Sequence, residues 1–198
     1  MYIIHFYGIF LDGVNIFADM FKIFDDKTKI LRTKCKEVPL PYTKEDKQTL
    51  KEMAEYLKLS QDEEYASEHN IQAGVGLAAP QIGLDKRMLA IYLKDGDSTY
   101  KFGLINPKVL RTSVKKAYLR GGEGCLSVKQ AHQGLVMRYY KIVVEAFDVF
   151  EDKDITITAY GYLAICLQHE LDHLDGVLYY DHIKPKDPFF IESGAIEV

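Results

Sequence analysis

Apolar residues recur at Leu50, Met53, Ala54 and Leu57, a spacing of i, i+3, i+4 and i+7 that places them on one face of an α-helix. Thr43 stands ahead of this run with Asp46 three residues on, so a capping box predicts the helix start. Pro39 and Pro41 bring an extended segment up to it. Residues 61–69 are polar and acidic and read as an exposed extension or insertion. The period then shortens. Residues 87–93 are apolar with strand propensity, and residues 104–107 read as a strand ending in a turn at Asn106-Pro107. Residues 141–149 alternate, with Ile142, Val144 and Ala146 on one face and Val143, Glu145 and Phe147 on the other. Residues 154–158 alternate too, and the turn at residues 150–153 suits an antiparallel hairpin. A second helix is predicted from near Tyr162 to Gly176, a natural helix-ending residue. Leu163, Leu167, Leu171 and Leu174 form its apolar stripe, and its few polar residues predict burial in the middle of the fold. Antiparallel strands around a central helix make the expected class α+β.

Composition changes this picture little. The 198 residues are 47% hydrophobic and 27% charged, enough for one folded domain with a full core. The net charge of −4 argues against a nucleic-acid groove, so no direct DNA binding is expected. Cys35, Cys125 and Cys166 are too few and too odd for a disulfide framework, which suits a reducing compartment. The first 24 residues are fairly apolar, but they lack a basic start and are interrupted by Asp12 and Asp19, so no signal peptide is expected. No run reaches the roughly 20 apolar residues of a membrane span. A soluble, cytoplasmic protein without membrane contact is expected.

The second helix carries candidate chemistry. His169-Glu170-x-x-His173 puts two imidazoles on one helix face, where both reach one metal ion, with a carboxylate beside the open position. Tyr162 and Cys166 share that face. The third ligand is open from this motif alone. A third His six residues on would complete a metzincin site, but that position is Tyr179, and Glu192 and Glu197 are poor downstream candidates. Cys125, within Glu123-Gly124-Cys125-Leu126-Ser127, would make a Cys-His-His set with one position left for water, the catalytic arrangement. Cys35 lies in a basic, surface-like stretch, and Cys166 reads as a pocket wall.

Three motifs stand in order: Gly74-x-Gly76-Leu77-Ala78-Ala79-x-Gln81, Glu123-Gly124-Cys125-Leu126-Ser127 and Gln168-His169-Glu170-x-Asp172-His173. Together they resemble the peptide deformylase family over about residues 26–198. The acidic insertion and a tail ending Ala195-Ile196-Glu197-Val198, read as a short strand, resemble the type 2 branch, found mainly in Gram-positive bacteria. Two features depart from the pattern. Lys29 stands where the family often has Pro before Ile30-Leu31-Arg32, and residues 1–19 match nothing in it. The division expected is therefore an N-terminal extension at 1–19 and a single catalytic domain at 20–198.

The resemblance implies removal of the formyl group from formyl-methionine at the start of new polypeptides. It implies one divalent metal held by Cys125, His169 and His173, Fe²⁺ in cells, with Zn²⁺, Ni²⁺ or Co²⁺ possible in the isolated protein. Glu170 would move the proton, while the Gln81 amide and the Leu126 backbone N–H would stabilise charge on the formyl oxygen. Val75, Gly76 and Gly124 would pair with the peptide as an added strand. The methionine pocket would be lined by Val75, Glu123, Tyr162, Ile165, Cys166 and His169. Arg138 is expected to pair with Glu123, and Asp172 to orient a ligand histidine. A monomer acting on nascent chains, with a transient ribosome contact, is expected. The family's basic C-terminal docking helix has no counterpart in this tail. The competing readings are a zincin-type metallopeptidase and a non-catalytic, metal-stabilised interaction module.

Overall fold

In the computed structural model, which describes residues 21–198, Thr43 and Asp46 close the expected capping box at the start of helix α1 (Lys44–Ser60). The Asp46 N–H donates to Thr43 Oγ1 at 3.1 Å, and that hydroxyl donates to Asp46 Oδ2 at 2.6 Å. Leu50, Met53, Ala54 and Leu57 are fully buried, as their spacing predicts. The polar stretch after α1 is itself a short helix, α2 (Glu63–His69), capped by Asp62, whose side chain accepts from the Tyr65 N–H. None of its residues is buried. A seven-residue helix with no apolar stripe leaves no periodicity to read. The proposed extension at residues 1–19 lies outside the described residues.

Seven strands and a helix follow: β1 (Gly76–Ala78), β2 (Met88–Asp95), β3 (Ser98–Thr112), β4 (Lys116–Tyr118), β5 (Arg138–Tyr139), β6 (Lys141–Asp148), β7 (Lys153–Tyr160) and α3 (Gly161–Leu174). The tail contributes β8 (Ile196–Glu197). An antiparallel sheet has the order β1-β2-β3-β6-β7, and a second has the order β5-β4-β8, with β8 parallel to β4. The β6–β7 hairpin pairs Asp148 with Lys153, as the alternation implied.

Strand β3 corrects one expectation. It does not end at Asn106-Pro107 but runs on to Thr112, with its register against β6 shifted between Ile105 and Lys108. Asn106 takes a left-handed φ of 52°, and its side chain exchanges hydrogen bonds of 2.8 and 2.9 Å with the Val38 backbone. Pro107 has no N–H for the ladder, so the pair makes a bulge within the strand rather than a turn beyond it. Cys35 is a second correction. It is buried, and its N–H donates to the Leu174 carbonyl at 2.8 Å. The basic neighbours Lys34 and Lys36 are exposed, so the extended chain alternates inward and outward there. Burial pushes the Cys35 thiol up to about 11.

The large sheet lies between the two long helices. Met88 and Ala90 of β2 pack with Leu50, Met53 and Leu57 of α1. Leu89, Ile91 and Leu93 pack with Leu163, Leu167, Leu171 and Leu174 of α3. A strand covered on both faces needs a continuous apolar run, which residues 88–91 supply. This sandwiching puts α3 inside the molecule with its histidines directed at neighbouring chain. Among the described residues no helix is long and apolar enough to cross a membrane.

Asp46 ties α1 to this frame, because Lys86 Nζ reaches its Oδ1 at 2.5 Å. Burial alone would raise the Asp46 carboxyl, but hydrogen bonds from Lys86 and Thr43 outweigh it and hold it below its ordinary value of 3.8. A depressed folded-state pKa contributes stability above that ordinary value and loses it as pH falls through the folded one. Asp46→Ala is expected to cost about 1–3 kcal/mol at pH 7. In urea unfolding the deficit relative to wild type should shrink steadily as pH is lowered below 3.8.

Candidate metal centre

Helix α3 starts without a side-chain cap and is held by its surroundings. The Gln168 side chain bonds the backbone of β5 at Tyr139 on both its N–H and its carbonyl. Its Oε1 accepts from the Tyr139 N–H at 2.9 Å, and its Nε2 donates to the Tyr139 carbonyl at 2.9 Å. Beyond the helix C-terminus Gly176 turns the chain with φ 74°, and a Cβ there would lie 2.8 Å from the Arg32 carbonyl carbon. The helix is thereby held at its middle and just beyond its C-terminus, with Arg138 of β5 beside it.

Cys125 lies between β4 and β5 in a stretch without regular secondary structure. The segment is pinned by the Asp26 N–H on the Ser127 carbonyl at 2.9 Å and by Gln81 Nε2 on Ser127 Oγ at 3.2 Å. Cys125 Sγ lies 3.2 Å from His173 Nε2, and the three candidate donor atoms of Cys125, His169 and His173 lie within 4.8 Å of one another. His169 Nδ1 donates to Glu123 Oε2 at 2.7 Å, which leaves Nε2 as that ring's ligand atom. Burial lowers the pKa of His169, but hydrogen bonds with Cys125 and Glu123 outweigh it and raise it to about 10. Burial pushes His173 well below its ordinary value, and its Nδ1 has no partner. A thiol, one proton-holding imidazole and one neutral imidazole, converging away from solvent, fit a divalent cation that would replace the proton.

The structure places Arg138 against Glu123, and adds more. Its Nε and Nη2 donate to the two Glu123 oxygens at 2.8 and 3.0 Å, and its Nη1 donates to Asp172 Oδ2 at 2.5 Å. Asp172 therefore does not orient a ligand histidine directly. That position belongs to Glu123, because the side chain of Asp172 points from α3 toward β5 rather than toward His169 or His173. Glu123 lines a cavity, and its carboxylate is engaged by Arg138 and His169. Burial would raise Glu123; the hydrogen bonds from Arg138 and His169 outweigh it and lower it to about 2. Burial would lower Arg138; Glu123 and Asp172 keep it raised and charged.

A cavity of about 360 Å³ opens onto this cluster. Val75, Gly76 and Gln81 line one side, with Gly124, Cys125 and Leu126 from the loop. Tyr162, Ile165, Cys166, His169 and Glu170 line it from α3. His173 is buried behind it. Glu170 is 4% exposed, its Oε2 has no partner, and burial raises its carboxyl to about 7. Gly76 makes room for it, since a Cβ at that position would lie 2.3 Å from Glu170 Oε1. The Gln81 amide is anchored by its Oε1, which accepts from the Ala78 N–H at 2.7 Å, while its Nε2 contacts Cys125 Sγ at 3.7 Å. Strand β1 pairs only with β2 among the described strands, so its other edge faces the cavity side without a strand partner.

Two contributors escaped sequence reasoning. Gln61 Nε2 donates to the carbonyls of Gly74 at 2.9 Å and Tyr92 at 2.7 Å, and Ser60 Oγ accepts from the Gly74 N–H at 3.1 Å. The end of α1 thus sets the start of β1. A polar pair closing an amphipathic helix carries no sign of partners up to 31 residues away.

The family described as polypeptide deformylase matches residues 20–189. The chain is 44% identical to peptide deformylase 2 of Geobacillus stearothermophilus over 169 residues, 85% of this chain and 91% of that one. It is 45% identical to a peptide deformylase of Staphylococcus epidermidis over 170 residues, 85% and 92% of the two chains. It is similar in structure to a Synechococcus elongatus peptide deformylase in complex with actinonin, with TM-score 0.67, 31% identity, and coverage of 84% and 82%.

The buried cation generates a stability test. Arg138→Met would leave Glu123 and Asp172 without their counter-charge and should cost on the order of 3–5 kcal/mol. Chemical denaturation at neutral pH, compared with wild type, measures it directly.

Proposed function

The chain belongs to the polypeptide deformylase family, a family of metal-dependent hydrolases, and from that premise we propose how its own residues remove the formyl group from the formyl-methionine start of newly made polypeptides. The observation that carries the reading is the convergence of Cys125, His169 and His173 beside an unpartnered Glu170 carboxylate in one cavity. Cys125, His169 and His173 would hold a divalent cation, which supplies Lewis acidity there. We take Fe²⁺ as the metal in cells, with Zn²⁺, Ni²⁺ or Co²⁺ accepted by the isolated protein, since a mixed thiolate and imidazole set suits all of them.

Glu170 takes a proton from the attacking water and returns it to the leaving amine. Its carboxyl, raised by burial to about 7, is balanced for both transfers near neutral pH. The Gln81 amide and the Leu126 N–H stabilise charge on the formyl oxygen; one such donor typically contributes about 10²–10³ in rate. Gln81 Nε2 donates to Ser127 Oγ at 3.2 Å and makes a long contact to Cys125 Sγ at 3.7 Å, so its second N–H is held loosely enough to turn to an oxygen arriving beside Cys125. The peptide pairs with Val75, Gly76 and Gly124 along the open edge of β1. The methionine side chain lies against Val75, Tyr162, Ile165 and Cys166, an apolar wall that suits an unbranched thioether.

We assign the catalytic domain to residues 20–198, place the protein in the type 2 branch, and read it as a cytoplasmic monomer that meets nascent chains in transient contact with the ribosome. A zincin endopeptidase would take its third ligand downstream of the helix. Among the described residues the donor within reach is Cys125, which lies upstream.

Anaerobically purified protein should release stoichiometric formate from a formyl-Met peptide; internal peptide cleavage without formate would exclude the reading. Cys125→Ala should lose bound metal by elemental analysis, and retention with full activity would remove Cys125 as ligand. Glu170→Ala should keep its metal while kcat falls by about 10²–10⁴. Gly76→Ala should displace the Glu170 carboxylate and lower kcat by at least about 10², a misplacement effect, with metal content unchanged.

A further inference from the structure

His182 closes the short 3-10 turn Tyr179–His182 beyond α3, and its ring lies outside the cavity. The turn is anchored on its own account. The Leu178 N–H donates to Asp181 Oδ2 at 2.8 Å, Asp181 forms an ion pair with Arg32, and Arg32 Nη2 donates to Tyr180 Oη at 2.7 Å. From this fixed base His182 Nε2 lies 2.7 Å from Asp172 Oδ2. That oxygen is the one that accepts from Arg138 Nη1, and Nη1 and His182 Nε2 are 3.5 Å apart. A carboxylate oxygen is acceptor-only when ionised, so Nε2 is the protonated nitrogen and donates.

The contacts form one chain, from His182 through Asp172, Arg138 and Glu123 to His169 Nδ1. Asp172 and His182 are its partly exposed members, with 23% and 38% of their side chains open to water, whereas Arg138 and Glu123 are each 4% exposed. Of the two carboxylates on Arg138, that of Asp172 is the one water can reach. Burial alone would raise Asp172, and the hydrogen bond from His182 together with the Arg138 charge outweighs this and lowers it. We propose that His182 is a positioning residue for the metal centre: its hydrogen bond holds the Asp172 carboxylate on Arg138, which keeps Glu123 seated on the His169 ring. This rests on the reading that Cys125, His169 and His173 hold the metal. Losing a direct partner of a ligand costs about 10–100-fold in metal affinity; His182 acts several links further out, so about 3–10-fold is expected.

The test uses the full chain loaded with Co²⁺, as wild type, His182→Ala and His182→Gln. Co²⁺ release to excess chelator is followed through the thiolate-to-metal charge-transfer band, together with the melting temperature, kcat and KM. His182→Ala should release Co²⁺ about 3–10-fold faster and lose kcat, at unchanged melting temperature and unchanged KM, because His182 does not line the cavity. His182→Gln, whose amide N–H can reach the same oxygen, should recover most of the wild-type behaviour. Release from His182→Ala at the wild-type rate overturns the proposal. So does a Gln variant as impaired as Ala, or faster release accompanied by a general loss of stability. Failure of wild type to bind Co²⁺ through thiolate would instead overturn the metal-centre reading, and this inference with it.

Discussion

A guanidinium with almost no access to water sits between two carboxylates, and the rest of the site is arranged around it. Arg138 comes from β5, Glu123 from the loop before Cys125, and Asp172 from α3. An unpaired cation in that position would be prohibitively costly, so the three segments can close only with both acids in place. The geometry this enforces reaches the chemistry directly, because the Glu123 oxygen that accepts from Arg138 Nη2 also accepts from His169 Nδ1. Gln168, one residue before His169, clamps the backbone beside Arg138 and completes the loop from helix to strand and back.

The same dryness differentiates groups that are chemically alike. His169 and His173 are four residues apart on one helix, yet the first is raised by its partners and the second lowered by burial. Glu123 and Glu170 diverge in the same way. The former is held ionised by Arg138 and His169, while the latter, without a partner on Oε2, is pushed toward neutrality. Environments that separate the pKa values of like groups suit one to holding a candidate ligand and the other to moving a proton, as proposed above. The packing that makes this possible is local and tight, since Glu170 occupies space that only Gly76 leaves open.

Periodicity made much of the fold legible. The buried face of α1, the capping box, the β6–β7 hairpin and the buried leucine stripe of α3 all follow from spacing or cap residues, and the short terminal strand accompanies the family resemblance. The expectations that failed share a cause. Asn106-Pro107 looks like a strand end because both residues favour turns, but the Val38 backbone receives the Asn106 side chain and the strand continues through a bulge. Cys35 looks like surface because its neighbours are basic, and its burial comes from packing with Leu174 and the rest of a core built by residues far along the chain. Asp172 looks like a partner for the ligand on its own helix, yet Arg138 and His182 claim it.

By itself the sequence determined that His169 and His173, two candidate ligands, share one face with Glu170 beside them, because a helix converts a spacing of four into a shared face without help from the rest of the chain. It also presented Cys125 and Gln81 as candidates through the company they keep in their motifs. Only the tertiary structure decided that Cys125 Sγ meets His173 across 48 residues, that Glu123 and not Asp172 steadies His169, and that Gln61 sets the start of β1. Those contacts join segments with no common period, and they form because buried charges and backbone groups must find partners wherever the packed chain supplies them.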